Sequence, residues 1–291
     1  MLTEQKHHTM RNATMSCLGT MWVLAVLLLC GCSRTSEFRA RLMALDSVLV
    51  QHPDSVYDVM VRMETEAHGQ SQSDRMYYEL LRADAQNKAY VDFTTDSVMA
   101  EVADWYDRHG TPNEQMRAHY LLGCTYRDMK DVPMELQCFQ DAVEKADTTA
   151  RDCDLYTLYA IYGQMADIYH SQYLPEEELK TLAICERIAW MDKDTLSAIQ
   201  AHALQARTYD LIGENDSTLK ILNQAYDHYL YLKDTINASR LLGSIISLHI
   251  GLNKWNQVKM EMDTYEKQTG YFDNEGELLE TSMTSYYYIF I

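Results

Sequence analysis

Apolar and polar positions follow a pattern that repeats along the chain. The clearest unit begins with Leu122-Gly123-Cys124-Thr125-Tyr126 and continues further along with Phe139-Gln140-Asp141-Ala142. We interpret the two segments as helices packed closely against each other in a hairpin. Gly123 would let the second helix approach closely, and Tyr126 would fill the next gap.

Three weaker copies of this unit follow. Ala takes the small position and Tyr the aromatic position in Met165–Tyr169 and again in Gln205–Tyr209, whereas Ile246 and His249 occupy them in the last copy. The aromatic positions are 126, 169, 209 and 249, so the unit recurs with a period near forty. A period of this length predicts helical hairpins stacked in series. The second helices supply the packing residues Leu182, Cys185, Leu222, Ala225, Met262 and Tyr265.

Turn and capping residues divide the chain at matching places. Thr111-Pro112-Asn113-Glu114 predicts a capping box with Pro at the first helical position. Three Asp-Ser pairs predict further helix starts capped by their side chains, and four glycines predict helix ends. The pairs begin at Asp54, Asp96 and Asp216, and the glycines are Gly110, Gly213, Gly251 and Gly270. Only 4 Pro and 11 Gly in 291 residues argue against a strand-and-turn fold.

The repeat motif is absent from the first part of the chain, where the pattern still predicts helices. We place them at about 37–51, 54–67, 72–90 and 95–109. Near the other end, the pattern predicts another apolar helix from Glu277 that stops in mid-pattern, without the polar end cap that solenoids need. The division is N-terminal helical hairpins at 37–110 and repeats at 111–291, the last of them incomplete.

The repeated unit resembles the tetratricopeptide (TPR) repeat. That family has Leu-Gly and then Tyr in its first helix, and Phe and later Ala in its second. The resemblance implies an all-α fold, a right-handed superhelix of stacked antiparallel helical hairpins. Two departures stand out: the period near forty exceeds the ~34 of TPR units and matches HEAT-like repeats, and the small residue expected early in the second helix is Glu135, Glu178 or Thr218.

The N-terminus is typical of a targeting segment. Lys6 and Arg11 precede nine apolar residues, Met21–Leu29, which lead into Leu29-Cys30-Gly31-Cys32. Nine residues rise only ~14 Å as a helix, short of a hydrocarbon core of ~30 Å. The sequence resembles a bacterial lipobox, which implies a signal peptide at 1–31, lipid attachment at Cys32 and a tether at 32–36. The alternative is a short uncleaved membrane helix.

Composition and motif searches restrict the chemistry. A formal charge of −18, from 43 acidic and 25 basic residues, disfavours binding to a phosphate backbone, so we expect no nucleic-acid partner. No HExxH, GxSxG, glycine-rich phosphate loop or calcium loop is present. We therefore expect a protein that is not an enzyme and needs no metal or cofactor.

Several isolated residues have a structural and a functional interpretation. Four cysteines besides Cys32 permit disulfides, but helical cores also use Cys as a small buried hydrophobe, which we favour. His119 and His202 are interpreted as packing residues and Glu176-Glu177-Glu178 as a helix start favoured by the helix dipole. The four cysteines are Cys124, Cys138, Cys153 and Cys185.

The family resemblance also implies a candidate binding surface, because ligands of TPR proteins lie on the concave face built by the first helices. Four Arg on that face of an acidic protein would suit an acidic peptide or a carboxylate terminus. The alternative is that these Arg pair with neighbouring acids, Arg127 with Asp128 and Arg207 with Asp210. The face comprises Arg117, Tyr120, Arg127, Asp128, Asp167, His170, Gln200, Arg207, Asp210, Arg240 and Ser247.

Three functional hypotheses follow. The first is a lipid-anchored scaffold of the bacterial cell envelope, facing the periplasm, that binds a partner protein or peptide in its groove. The second is the extracytoplasmic sensor part of a longer signalling or transcriptional regulator. The third is a helical-repeat component of a glycan-uptake system, which ranks last because the long loops and exposed Trp of such proteins are missing.

Overall fold

The computed structural model describes residues 36–269, and within this range it contains twelve α-helices and no β-strand. The chain divides into two compact units between Ala89 and Tyr90. The prediction of an all-α fold is thus confirmed. The helices are α1 (Glu37–Asp46), α2 (Pro53–Ala67), α3 (Gln72–Lys88), α4 (Ser97–His109), α5 (Pro112–Asp128), α6 (Val132–Lys145), α7 (Leu155–Ser171), α8 (Pro175–Met191), α9 (Thr195–Leu211), α10 (Asn215–Tyr231), α11 (Thr235–Gly251) and α12 (Trp255–Thr269).

The first unit is built from α1, α2 and α3 around one apolar cluster. Leu42, Met60 and Tyr78 are completely buried in it. The Tyr78 hydroxyl donates to the Met60 carbonyl at 2.7 Å, and burial raises the pKa of this phenol to about 12. The four helices predicted before residue 110 are confirmed, although the first ends at Asp46, where tight turns replace the helix.

The second unit advances in equal steps. The five helices from α7 to α11 are equally long, and a connection of the same length joins each of them to the next. They begin at positions 155, 175, 195, 215 and 235. The middle residue of each connection has positive φ, at Tyr173, Lys193, Gly213, Lys233 and Asn253. Two such steps make one hairpin, so the structure reproduces the period of the sequence. The excess over the ~34 of TPR units amounts to about three residues, nearly one turn, in each helix.

The aromatic position of the repeat also takes part in ending the first helix. The carbonyl oxygens of Tyr126, Tyr169, Tyr209 and His249 each accept a hydrogen bond of 2.8–2.9 Å from the backbone N–H five residues on. This is the six-to-one bond of a Schellman turn, which satisfies a carbonyl that the helix leaves open. The same turn therefore recurs at intervals of 43, 40 and 40 residues, whatever side chain occupies the position.

Helix starts follow the prediction in part. The capping box at Thr111 and Glu114 is confirmed. The Asp-Ser pairs do lie at helix starts, but their predicted side-chain capping is wrong: α2 begins at Pro53 after an N-cap at His52, and α10 begins after Glu214. Asp96 does precede α4, but its carboxylate accepts the Tyr126 hydroxyl at 2.7 Å and makes no capping hydrogen bond. The caps of the later first helices are Asp154, Asp194 and Asp234, which accept from the N–H groups of Thr157, Ser197 and Asn237.

Close packing at Gly123 is confirmed. A Cβ atom at this position would lie 2.4 Å from a ring carbon of Phe139, which is completely buried. The same interval along the sequence separates the buried pairs Ala206–Leu222 and Ile246–Met262. Where the second helix carries Leu or Met in place of the ring, the first helix carries a larger residue. The two positions therefore vary together, as Gly with Phe, Ala with Leu and Ile with Met, so that each hairpin remains filled.

Three of the four predicted buried thiols are buried, and Cys153 is half-buried in the loop between α6 and α7. Burial raises the pKa values of Cys138 and Cys185 to about 12, so these thiols resist forming the reactive thiolate. Between residues 36 and 269 no helix combines the length and the apolarity required to cross a bilayer.

Candidate functional site

A cavity of about 900 Å³ lies in the second unit, between the first helices α9 and α11 of two successive hairpins. Leu196 and Leu204 of α9 and Leu241 and Leu248 of α11 form its apolar walls. The second helix α10 closes the floor with Thr218, Leu222 and Tyr229, all of which are buried. Since α10 runs antiparallel to both neighbours, α9 and α11 are parallel and carry equivalent positions of the repeat.

Five of the residues assigned to the concave face line this cavity. They bring two guanidinium groups, one carboxylate, one amide and one hydroxyl to the same space, and every one of them is exposed. The five are Gln200, Arg207, Asp210, Arg240 and Ser247. The cavity thus combines apolar walls with a few polar groups, as in most small binding sites.

Arg207 has a structural partner that differs from the predicted one. Its guanidinium donates to Glu178 at 2.9 Å and to Asp167 at 3.4 Å, whereas the sequence suggested a pair with Asp210. Glu178 is fully buried, and its second oxygen lies 3.0 Å from Nδ1 of His170. A buried carboxylate is tolerated here because two donors on α7 and α9 compensate for lost hydration. Asp167, His170 and Arg207 therefore form an ionic bridge around Glu178.

The remaining predicted residues lie on α5. The Arg127 Nε donates to Asp128 at 3.0 Å, which confirms the predicted alternative of a local ion pair. The carboxylate of Asp128 also accepts the Phe93 backbone N–H at 3.1 Å, and its side chain is 8% exposed. Asp128 therefore holds the segment before α4 instead of facing a partner. Arg117 and Tyr120 are half-buried, and the Tyr120 ring stacks on Phe139 at 5.9 Å.

The position early in the second helix explains where the cavity lies. Glu135, Glu178 and Thr218 occupy it in successive hairpins, and all three are buried. One repeat beyond the bridge members His170, Glu178 and Arg207 stand Asp210, Thr218 and Ser247, which line the cavity. Ser247 is too short to cross the space that Arg207 spans. The cavity occurs where the ionic bridge of the preceding hairpin is replaced by small residues.

In the sequence, the two glutamates and the threonine are departures from the TPR pattern, and Glu178 is also the last of three consecutive glutamates at a predicted helix start. One full period after Glu178 and Arg207, the sequence has the smaller residues Thr218 and Ser247. That loss of side-chain volume was the available signal for the cavity.

His119 and His202, interpreted from the sequence as packing residues, both lie beside a carboxylate. His119 is buried, and its Nε2 lies 3.0 Å from Asp107, which also accepts Lys145 at 2.8 Å. Burial opposes ionisation of Asp107, but the hydrogen bonds from Lys145 and His119 prevail and lower its pKa. His202 is half-buried and pairs with Glu186 at 3.1 Å. The three glutamates from Glu176 are confirmed in the first turn of α8.

The fold and these repeat positions define a TPR-like helical repeat protein. No protein-family model matches the chain, and no curated protein matches it. Among solved structures, BtubC (BKLC) from P. vanneervenii matches with a TM-score of 0.55 at 11% identity, over 82% of this chain and 95% of that one. A kinesin light chain from Podosopora anserina, with nearly identical TPR-like repeats, matches with a TM-score of 0.53 at 14% identity, over 68% and 99%. At these identities the likeness concerns the fold alone.

Proposed function

We propose that this chain is a lipid-anchored scaffold of the bacterial cell envelope that binds a segment of a partner protein. The observation that carries the binding activity is the cavity between α9 and α11. A volume of about 900 Å³ suits a ligand of several residues. Its walls present apolar side chains for desolvation and exposed polar groups for orientation, and α10 supplies a closed floor.

The lipid anchor rests on the sequence around Cys32, which lies outside the described residues, as does the whole proposed signal peptide at 1–31. The resemblance of Leu29-Cys30-Gly31-Cys32 to a lipobox supports attachment of acyl chains at Cys32. Several acyl chains on one residue hold a protein stably at a membrane, where one alone would not. The anchor and the cavity together favour capture of a partner close to the membrane surface.

The test is crosslinking and capture from envelope fractions, with a variant in which the cavity is filled. Thr218→Glu with Ser247→Arg introduces between α9 and α11 the counterparts of Glu178 and Arg207, while Asp210 remains at the position of His170, so an arginine and a carboxylate would occupy the space. The matched control Thr218→Ser with Ser247→Thr changes the same positions and keeps them small. We expect the wild-type and control chains to crosslink to one partner and the cavity-filled chain to lose it.

Equal melting temperatures of the three chains would show that filling the cavity leaves the fold intact. A partner that crosslinks equally to the cavity-filled chain would contradict the proposed site. If the cavity-filled chain melts lower, the single change Ser247→Arg can be tested instead. It places an arginine between α9 and α11 without burying a new glutamate at position 218, and the same loss of the partner is expected.

A further inference from the structure

The cavity between α9 and α11 has opposite charges at its two ends. Because α9 and α11 are equivalent parallel helices, Arg240 stands at the level of Gln200, its counterpart in the preceding hairpin. Asp210 stands ten residues further along α9, or ~15 Å at the rise of an α-helix. A cation therefore lies at the end of the cavity near the N-termini of α9 and α11, here called the starting end. An anion lies at the end near their C-termini, the finishing end.

Arg240 is available at the starting end. The residue is exposed, its guanidinium donates to the side-chain oxygen of Asn237 at 3.2 Å, and it forms no ion pair within residues 36–269. The nearby carboxylate of Asp234 is held by the backbone and side-chain N–H groups of Asn237, which lower its pKa, with a smaller contribution from Arg240. Asp234 does not line the cavity, and its side chain caps the start of α11.

Asp210 is available at the finishing end. It is exposed and forms no ion pair with any residue in the described range. Arg207, one turn earlier, directs its guanidinium to Glu178 and Asp167 in the preceding bridge and so does not neutralise Asp210. The helix dipoles add to the contrast, because α9 and α11 both have their positive ends near Arg240 and their negative ends near Asp210.

From this arrangement we propose that the cavity binds an extended peptide segment in one charge order, with an acidic side chain at Arg240, a basic side chain at Asp210 and apolar side chains between them. Measured along the helix axes, the ~15 Å between the levels of the two charges corresponds to about five residues of extended chain at ~3.3 Å each, for a segment that runs parallel to α9 and α11. The intervening residues face Leu204, Leu241 and Leu248. This inference rests on the proposed function and adds the chemistry and direction of the ligand.

The charge order separates this ligand from other occupants. A small apolar acid would pair its carboxylate with Arg240 but would bring no positive charge to Asp210. A segment with both charges pairs each end with an opposite charge, and mismatched ends would be penalised by like-charge contact. An acidic peptide, as expected from the four Arg of the concave face, would pair with Arg240 alone, whereas the proposed ligand also carries a basic group about five residues away.

The experiment selects peptides from a displayed library of random heptapeptides on the full-length chain, purified in detergent and immobilised. Three variants are compared with wild type: the swap Asp210→Arg with Arg240→Asp, the neutral pair Asp210→Asn with Arg240→Gln, and the cavity-filled chain. We expect wild type to enrich peptides with an acid and a base about five residues apart in one order. The swap should enrich the opposite order, and the neutral pair neither order.

Affinities of the enriched peptides, measured by fluorescence polarisation, complete the test. A peptide selected on wild type should bind the swap variant about tenfold more weakly, and the same peptide with its charges exchanged should recover that loss. Identical peptides enriched on wild type and on the swap would overturn the inference, as would enrichment of purely acidic sequences. An enriched peptide that binds the cavity-filled chain equally would also overturn it.

The outcomes separate the inference from the proposed function. If the envelope partner is lost on filling the cavity while the library shows no charge order, the scaffold function stands and the inference fails. If a partner crosslinks equally to the filled chain, the function itself fails. Arg240 and Asp210 are exposed and lack ion pairs in the described range, so the swap should melt like wild type. If it does not, loss of the charge order in the neutral pair still tests the inference.

Discussion

At the scale of single residues, the packing of Gly123 on Phe139 can be tested with a matched pair of substitutions. Gly123→Ala adds a Cβ that would lie 2.4 Å from the Phe139 ring, whereas Gly163→Ala on α7 adds one with no atom within 4 Å. We expect Gly123→Ala to reduce the free energy of unfolding by ~1–3 kcal/mol. Gly163→Ala should increase it by ~0.5–1 kcal/mol, because Ala loses less conformational entropy in a helix. Urea denaturation compares the two, and equal effects would show that the contact with Phe139 carries no strain.

Glu135 predicts a pH dependence of stability. Burial raises its pKa from 4.5 to about 7, against a partial lowering by Arg127. The folded-state pKa lies above the unfolded value, so ionisation opposes folding: the cost is absent below pH 4.5, grows up to pH 7 and is complete above it. Glu135→Gln removes the charge and should stabilise the chain by ~1–3 kcal/mol at pH 8 and not at pH 4. Thermal melts at both pH values measure this, with Glu144→Gln, exposed on the same helix, as the control.

At the scale of helices and turns, the connections of the second unit depend on one residue with positive φ each. Gly213 has φ +76° with open space around it, and Lys233 adopts φ 61° at the equivalent position of the next connection. Gly213→Ala should therefore cost about 1 kcal/mol through the backbone alone, and Lys233→Gly should cost nothing or stabilise by a few tenths of a kcal/mol. A stability measured by urea denaturation that is unchanged in Gly213→Ala would mean that this turn contributes nothing beyond its hydrogen bonds.

At the scale of the whole molecule, the proposal of a membrane-attached scaffold predicts a single attachment residue. Cys32→Ala should abolish labelling by a fatty-acid analogue and leave the precursor unprocessed by the lipoprotein pathway. Cys153→Ala, which removes a half-buried thiol remote from the lipobox, should label normally. Persistent labelling of the Cys32 variant would remove the anchor from the proposal without affecting the cavity.

The order of the hairpins was predictable because it depends on contacts between residues close in sequence. Gly123 meets Phe139 within one hairpin, and the capping box joins Thr111 to Glu114. Such contacts recur along the sequence with the repeat, so the pattern stays recognisable even where individual residues differ. The Asp-Ser pairs do not provide the predicted caps. Pro53 can begin α2 by itself, and the Asp96 carboxylate binds Tyr126, which lies on the next helix.

Taken alone, the amino-acid sequence determined that the chain forms helical hairpins with a period near forty, where the best-packed hairpin closes and which helix faces could line a groove. Only the tertiary structure decided which of those residues line the cavity and which are held in ion pairs and hydrogen bonds within the chain. Arg207 pairs with Glu178 of the preceding helix, and Asp128 with the Phe93 backbone ahead of α4. These pairings depend on which side chains of neighbouring helices meet in the folded chain. The cavity between α9 and α11 exists because Thr218 and Ser247 are too small to fill it.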